Sequence, residues 1–186
     1  MIVFISGGVR SGKSRIAEAY VQKLASPESA LHYIATARAS DDEMKQRIAH
    51  HQKRRQKQAV KWTTWEQPVR LAKLIPVFTK NDVVLLDCVT NWLANELFAD
   101  EGWQKETVCF RKARQMWATL QQLEKASRAL IIVSNELFSG GVPDDLGTYH
   151  FMKMLGWLHQ QIVANAQVAI LVQNGVAVVK KGESCL

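Results

Sequence analysis

A chain of 186 residues, 47% hydrophobic and 22% charged, has the ordinary composition of a soluble globular protein and is long enough to bury a sizeable core. No apolar run reaches the ~20 residues needed to span a bilayer, and Cys88, Cys109 and Cys185 show no paired or metal-type spacing, which argues against a zinc site and for a reducing cytoplasm. The formal net charge of +7 points to an acidic partner, and a phosphate-rich small molecule serves as well as nucleic acid.

The opening run "MIVFIS" lacks the basic region and cleavage site of a signal peptide and reads as a first strand over 2–5. It leads into a loop in which Gly7, Gly12, Lys13 and Ser14 fit G-x-x-x-x-G-K-[ST], with an amphipathic helical pattern following. Glycines in such a loop let successive N–H groups converge on an anion, and the helix N-terminus adds partial positive charge. Residues Gly7, Gly8, Val9, Arg10, Ser11, Gly12, Lys13 and Ser14 are therefore predicted to cradle a nucleotide triphosphate. Lys13 would reach the β- and γ-phosphates, and Ser14 would ligate Mg²⁺.

Strands are further predicted at "LHYIAT" (31–36), "DVVLLDCVT" (82–90), "ALIIVSN" (129–135) and "VAILVQNGVAVV" (168–179). All but the last pair are separated by stretches of helical period. Asn174-Gly175 marks the last pair as a hairpin. Alternating strands and helices, with strands apolar on both faces, predict an α/β fold with a mostly parallel central sheet between helical layers. With no repeat or linker, residues 1–186 read as a single domain.

Between the second and third runs, Ser40 and Glu43 have capping-box spacing, and Asp41 and Asp42 sit where a helix dipole favours negative charge. The helix they begin would run from 41 to about 56. Met44, Ile48 and His51 fall on one face of it, bordered by Arg47 and Arg55, while His50 points ~100° away. A histidine on an apolar stripe is ordinarily a hydrogen-bonded core residue. Here the stripe ends in a cluster of cations, which would keep the imidazole neutral and nucleophilic and hold an incoming phosphate. The basic run "HHQKRRQKQAVK" (50–61) has three readings: a solvated helix end, a cradle for an anionic ligand, or a nucleic-acid patch.

The run "VVLLDC" ends in Asp87. Set beside the first strand, this carboxylate would hold Mg²⁺ directly or through water; the alternative is a cap on the following helix. "DDLG" at 144–147 resembles the D-x-x-G of signalling GTPases, but it lies well past a strand end and no N-K-x-D follows.

Several of these motifs occur together in one known family. The chain resembles the bifunctional adenosylcobinamide kinase / adenosylcobinamide-phosphate guanylyltransferases of cobalamin biosynthesis. The shared features, in order, are "GGVRSGKSR" (7–15), "YIATA" (33–37), "DDEMKQRIAHHQKRR" (41–55), "WTTWEQP" (62–68), "LLDCVTNWLANEL" (85–97) and "VSNELFSGGVP" (133–143). The resemblance implies a P-loop NTPase (RecA-like) three-layer fold and two reactions. Adenosylcobinamide would be phosphorylated by a nucleoside triphosphate, GTP or ATP. A histidine would then take GMP from GTP and pass it to adenosylcobinamide phosphate. By position that histidine is His51, with Lys13 as the second catalytic residue. Ala35, Thr36, Ala37, Gln52, Lys53, Arg54, Arg55, Glu66 and Asp87 become nucleotide-site positions, with Ser14 and Asp87 at the metal. Asn135 and Glu136 become candidate substrate-site residues. The resemblance also implies a cytoplasmic homotrimer whose partner is a small corrinoid, with no nucleic acid and no membrane span. Rival readings are a P-loop small-molecule kinase without the covalent step and a nucleotide-dependent nucleic-acid binder.

The chain departs from the family pattern at Phe138, where a glycine is usual, at "WLHQ" (157–160) in place of Arg-Val-Asn-Gln, and at "QNG" (173–175) in place of Val-Ser-Gly. The six scattered tryptophans are expected to fill core or subunit interfaces, with Trp103 to Trp117 on a long helix ending near Lys125. His150 and His159 are given no site role. Cys88 is expected to be a buried small hydrophobe rather than a nucleophile.

Overall fold

Strands covered by helices on both faces bury every side chain, so both alternating sets must be apolar. The first strand shows this. In β1 (Ile2–Gly7), Val3 and Ile5 join one core, and Ile2 and Phe4 join another on the opposite face. The computed structural model describes residues 1–38, 61–141 and 143–183, so the expected helix from 41 to about 56 lies outside the described residues.

After β1 come α1 (Lys13–Leu24), β2 (Leu31–Ala35), β3 (Trp62–Glu66), a 3₁₀ segment (Leu71–Val77), β4 (Val83–Asp87) and α2 (Val89–Leu97). A 3₁₀ turn (Glu101–Gln104) leads into α3 (Glu106–Ala126), β5 (Ala129–Asn135), α4 (Leu146–Asn165), β6 (Val168–Gln173) and β7 (Val176–Lys181). The seven strands form one sheet in the order β3-β2-β4-β5-β1-β6-β7, parallel except for the β6–β7 pair. α1 packs its buried Ala17, Tyr20 and Val21 on one face, and α2, α3 and α4 cover the other. The three-layer α/β arrangement with a terminal hairpin is the one expected.

Three differences from the sequence reading have local causes. Trp62–Glu66 forms a strand that the sequence reading missed, because it lies at the sheet edge and its polar Thr63, Thr64 and Glu66 are exposed. It is fastened by Trp65, whose Nε1 donates to His32 Nδ1 at 3.2 Å, while His32 Nε2 stands 3.5 Å from Asp82. The apolar run 82–90 is strand only to Asp87. Its last residues turn into α2, since the Thr36 hydroxyl accepts from the Cys88 amide (2.8 Å) and donates to the Cys88 carbonyl (2.7 Å). The long helix begins at Glu106 rather than Trp103, which sits in the 3₁₀ turn capped by Asp100.

The tryptophans pack as expected: Trp92 is fully buried, and Trp65, Trp103, Trp117 and Trp157 lie partly buried against the same core. Asn174 (φ 52°) and Gly175 (φ 83°) both take positive φ, the backbone that a two-residue hairpin turn requires. Asp145 caps α4, accepting from the Thr148 amide at 2.6 Å, which accounts for the "DDLG" sequence without a nucleotide.

Ile132, fully buried in the middle of β5, is predicted to cost about 2–5 kcal/mol on replacement by alanine, read from urea unfolding. Asp145→Ala is predicted to lower the thermal midpoint by only about 2–4 °C while nucleotide affinity stays unchanged.

Candidate functional site

In a parallel sheet the strands all end at one edge, and ligands bind in the crevice beyond it. The register brings the ends of five strands there. Glu66, Ala35, Asp87 and Val133 stand in one row across β3, β2, β4 and β5, and Gly7 pairs with Asn135 across β1 and β5. Every sequence-predicted site residue among the described residues other than those of the loop itself therefore lies at or just beyond a C-terminal strand end. His51, Gln52, Lys53, Arg54 and Arg55 lie outside the described residues.

The loop between β1 and α1 has the backbone its glycines permit. Gly12 holds φ 94° and Arg10 φ 59°. A Cβ on Gly7 would meet the Val172 carbonyl and come within 2.7 Å of Ser11 Oγ, so that position admits only glycine. Lys13, nearly buried, folds back to donate from Nζ to the Gly8 carbonyl at 3.0 Å. The hairpin turn braces the loop from the side: the Gly175 amide donates to the Ser11 carbonyl at 3.1 Å. The "QNG" departure thus keeps a glycine where the turn meets the loop.

Ser14 Oγ donates to Asp87 Oδ2 at 3.2 Å, and the Tyr33 hydroxyl donates to the same oxygen at 2.9 Å. Cys88, not Asp87, occupies the N-cap of α2, so the helix-cap reading of Asp87 fails. The expectation that β4 lies beside β1 also needs correction, because β5 runs between them. α1 packs across β1, β5 and β4, which carries Ser14 over to Asp87. Tyr33 is a residue that sequence reasoning quoted within "YIATA" but gave no role; its place two residues before the strand end was the available signal. Asn95 is another: its Nδ2 donates to the Thr36 and Pro68 carbonyls at 2.8 and 3.1 Å, tying together the turns after β2 and β3.

Beyond β5, the Glu136 amide donates to the Gly7 carbonyl at 3.0 Å, which sets Asn135 and Glu136 beside the phosphate loop. Cys88 is buried, and burial, with Asp87 adjacent, pushes its thiol up to about 11; it is the inert hydrophobe expected. Among the described residues there is no group of three metal-capable His, Cys, Asp or Glu side chains and no helix long and apolar enough to cross a membrane.

A family profile described as cobinamide kinase / cobinamide phosphate guanyltransferase matches residues 3–180. The chain belongs to this family. Among curated relatives, the bifunctional adenosylcobalamin biosynthesis protein CobP of Pseudomonas aeruginosa is 36% identical over 181 residues, 96% of each chain. The CobU proteins of Escherichia coli K12 and Salmonella typhimurium are 34% and 32% identical, each over 96% of this chain and 98% of theirs. Of solved structures, an ATPase domain (TM-score 0.54, 10% identity) covers 97% of this chain and 76% of its own. The flagellar accessory protein FlaH of Methanocaldococcus jannaschii (TM-score 0.50, 15% identity) covers 98% and 78%. These two share the P-loop NTPase fold. The chain is thus a P-loop enzyme from a family of bifunctional kinase–guanylyltransferases.

Two of its departures from the family pattern touch. The Phe138 ring stands edge-on to His159 with centroids 5.5 Å apart, and Phe4 closes the imidazole from another side at 5.0 Å. His159 Nε2 lies 2.7 Å from Ser134 Oγ. Burial pulls the His159 imidazole down to about 4, slightly opposed by the Glu136 carboxylate.

Gly7→Ala is predicted to weaken nucleotide affinity by about 10-fold or more in a titration, since the loop must move off the Val172 carbonyl. A histidine held neutral binds fewer protons folded than unfolded, so its contribution is whole above pH 6.5 and is lost as pH falls from 6.5 towards 4. Across that window the native protein is predicted to lose about 3 kcal/mol more stability than His159→Gln, measured by denaturant unfolding at each pH.

Proposed function

We propose that this enzyme phosphorylates the aminopropanol hydroxyl of adenosylcobinamide and then transfers GMP from GTP to adenosylcobinamide phosphate through a covalent His51–GMP intermediate. The observation that carries the nucleotide chemistry is the contact of the Ser14 hydroxyl with the Asp87 carboxylate at the mouth of a glycine-built loop. These are two hard oxygen donors 3.2 Å apart, near the ~3 Å separation of adjacent ligands on an octahedral Mg²⁺. The pair fits that ion; when bound, Mg²⁺ would offset charge on the phosphate oxygens.

In the kinase step the loop amides and Lys13 would hold the triphosphate, GTP or ATP, so that the substrate hydroxyl oxygen attacks the γ-phosphorus, the bond to the β,γ-bridging oxygen breaks, the nucleoside diphosphate leaves and the hydroxyl proton passes to solvent. In the second step a ring nitrogen of His51 attacks the α-phosphorus of GTP and pyrophosphate leaves. A phosphate oxygen of adenosylcobinamide phosphate then attacks the same phosphorus, releasing adenosylcobinamide-GDP and the free imidazole. Lys53, Arg54 and Arg55 follow His51 in sequence and would neutralise the triphosphate during attack, and Gln52 beside them would donate hydrogen bonds to it. Ala35, Thr36, Ala37 and Glu66 would complete the nucleotide site, and Asn135 and Glu136 the acceptor site. The family resemblance supports a homotrimer, and free, buried Cys88 and Cys109 suit a reducing cytoplasm.

Incubation with GTP labelled at the α-phosphate tests the covalent step. The expected result is acid-labile, base-stable label on the native protein and on His50→Ala, and none on His51→Ala. Absence of label with intact γ-phosphate transfer to cobinamide would reduce the enzyme to a simple kinase. Salt-sensitive binding of nucleic acid with neither transfer would replace the enzymatic reading altogether.

A further inference from the structure

The turn after β5 is held by a chain of hydroxyls that begins under α4. The Asn135 amide donates to Thr90 Oγ1 at 2.8 Å, Thr90 Oγ1 lies 3.0 Å from Ser134 Oγ, and Ser134 Oγ lies 2.7 Å from His159 Nε2. Thr90 and Ser134 are both buried. A hydroxyl that accepts a hydrogen bond still has its own proton to give. The series closes when Thr90 donates to Ser134 and Ser134 donates to an unprotonated Nε2, leaving the ring proton on Nδ1. The downward shift of His159 to about 4 keeps the imidazole in that neutral, accepting form at neutral pH. Phe4 and Phe138 hold the ring on two sides.

The next residue fastens the turn from the other direction. Glu136 donates its amide to the Gly7 carbonyl at 3.0 Å, and its carboxylate accepts from the Phe138 amide (2.8 Å) and the Ser139 hydroxyl (3.1 Å). One short turn is therefore tied to the phosphate loop through the Glu136 amide and to His159 through the hydroxyls, and Phe138 touches both Glu136 and His159.

We propose that His159 is a positioning residue that, through Ser134 and Thr90, fixes the Asn135–Glu136 turn in the orientation that presents both side chains to the acceptor substrate beside the phosphate loop. This rests on the reading of Asn135 and Glu136 as acceptor-site residues. A group acting in this way affects the acceptor and leaves the nucleotide alone, whereas a purely structural histidine would affect both or neither.

The test compares His159→Leu, which removes the acceptor nitrogen, with His159→Gln, whose amide reaches about as far as Nε2. In the kinase reaction, His159→Leu is expected to raise KM for adenosylcobinamide by about 10-fold, with nucleotide KM changed less than about 2-fold; His159→Gln should recover to within about 3-fold of native. The pair His159→Leu/Ser134→Ala should be no worse than the poorer single variant, since both break the same chain. Amide hydrogen exchange gives a second readout without turnover: Asn135 and Glu136 should exchange about 10-fold faster in His159→Leu and at the native rate in His159→Gln. If His159→Leu does not fold, Ser134→Ala alone takes its place with the same expectations. Unchanged exchange, an unchanged acceptor KM, or a parallel rise in both KM values would overturn the proposal. If the native enzyme does not phosphorylate cobinamide, the functional reading fails while the exchange measurement still decides whether the chain of hydroxyls holds the turn.

Discussion

A hydroxyl on the first turn of α1 and a carboxylate at the end of β4 meet at 3.2 Å although β5 lies between β1 and β4. That contact sets demands on much of the fold. α1 must lean across β5, and for that the face beneath it must be apolar from β1 to β4, which Val3, Ile5, Val83, Leu85, Ile131 and Val133 provide. β4 must stop at Asp87 and not continue, and the paired hydrogen bonds between Thr36 and Cys88 end it there. Tyr33 then fixes which way the carboxylate faces by donating to the same oxygen as Ser14. A half-buried carboxylate with two donors on one oxygen has little freedom to turn, so the pair is set before any ligand arrives.

The loop that carries Ser14 is itself braced by parts of the chain far away in sequence. The hairpin turn at Gly175 holds the Ser11 carbonyl, the Val172 carbonyl closes on Gly7, and the Glu136 amide holds the Gly7 carbonyl. The two hydrogen bonds occupy backbone oxygens of the loop and engage none of its N–H groups. The hydrogen bonds that end at His159 continue this bracing at the turn after β5. They also account for a histidine that burial keeps uncharged next to Phe4 and Phe138.

Much of the fold was legible because its signals are local. The phosphate loop has its glycines and lysine at fixed spacing, the central strands are unbroken apolar runs, and Asn174-Gly175 marks its own turn. β3 was not legible: Trp62–Glu66 alternates weakly and becomes a strand only through β2 and the contact from Trp65 to His32. The end of β4 was read three residues late for a similar reason, since Val89 and Thr90 look like strand until Thr36 is seen to close it. Within the candidate site, Tyr33 and Asn95 lie inside recognisable motifs and His159 does not, yet the roles of all three were hidden alike, because their partners lie 54, 59 and 25 residues away.

By itself the sequence determined the class of fold, the position of the glycine-rich loop between β1 and α1, the family, and the placing of Asp87 at a strand end. These depend on residue type and short spacing, which a chain carries whatever its partners. Only the tertiary structure decided that β5 separates the two strands bearing Ser14 and Asp87, that Tyr33 shares that carboxylate, and that His159 reaches the Asn135 turn through two hydroxyls. Those are matters of strand order and of which side chains meet across the sheet, and nothing along the chain encodes them until the layers pack.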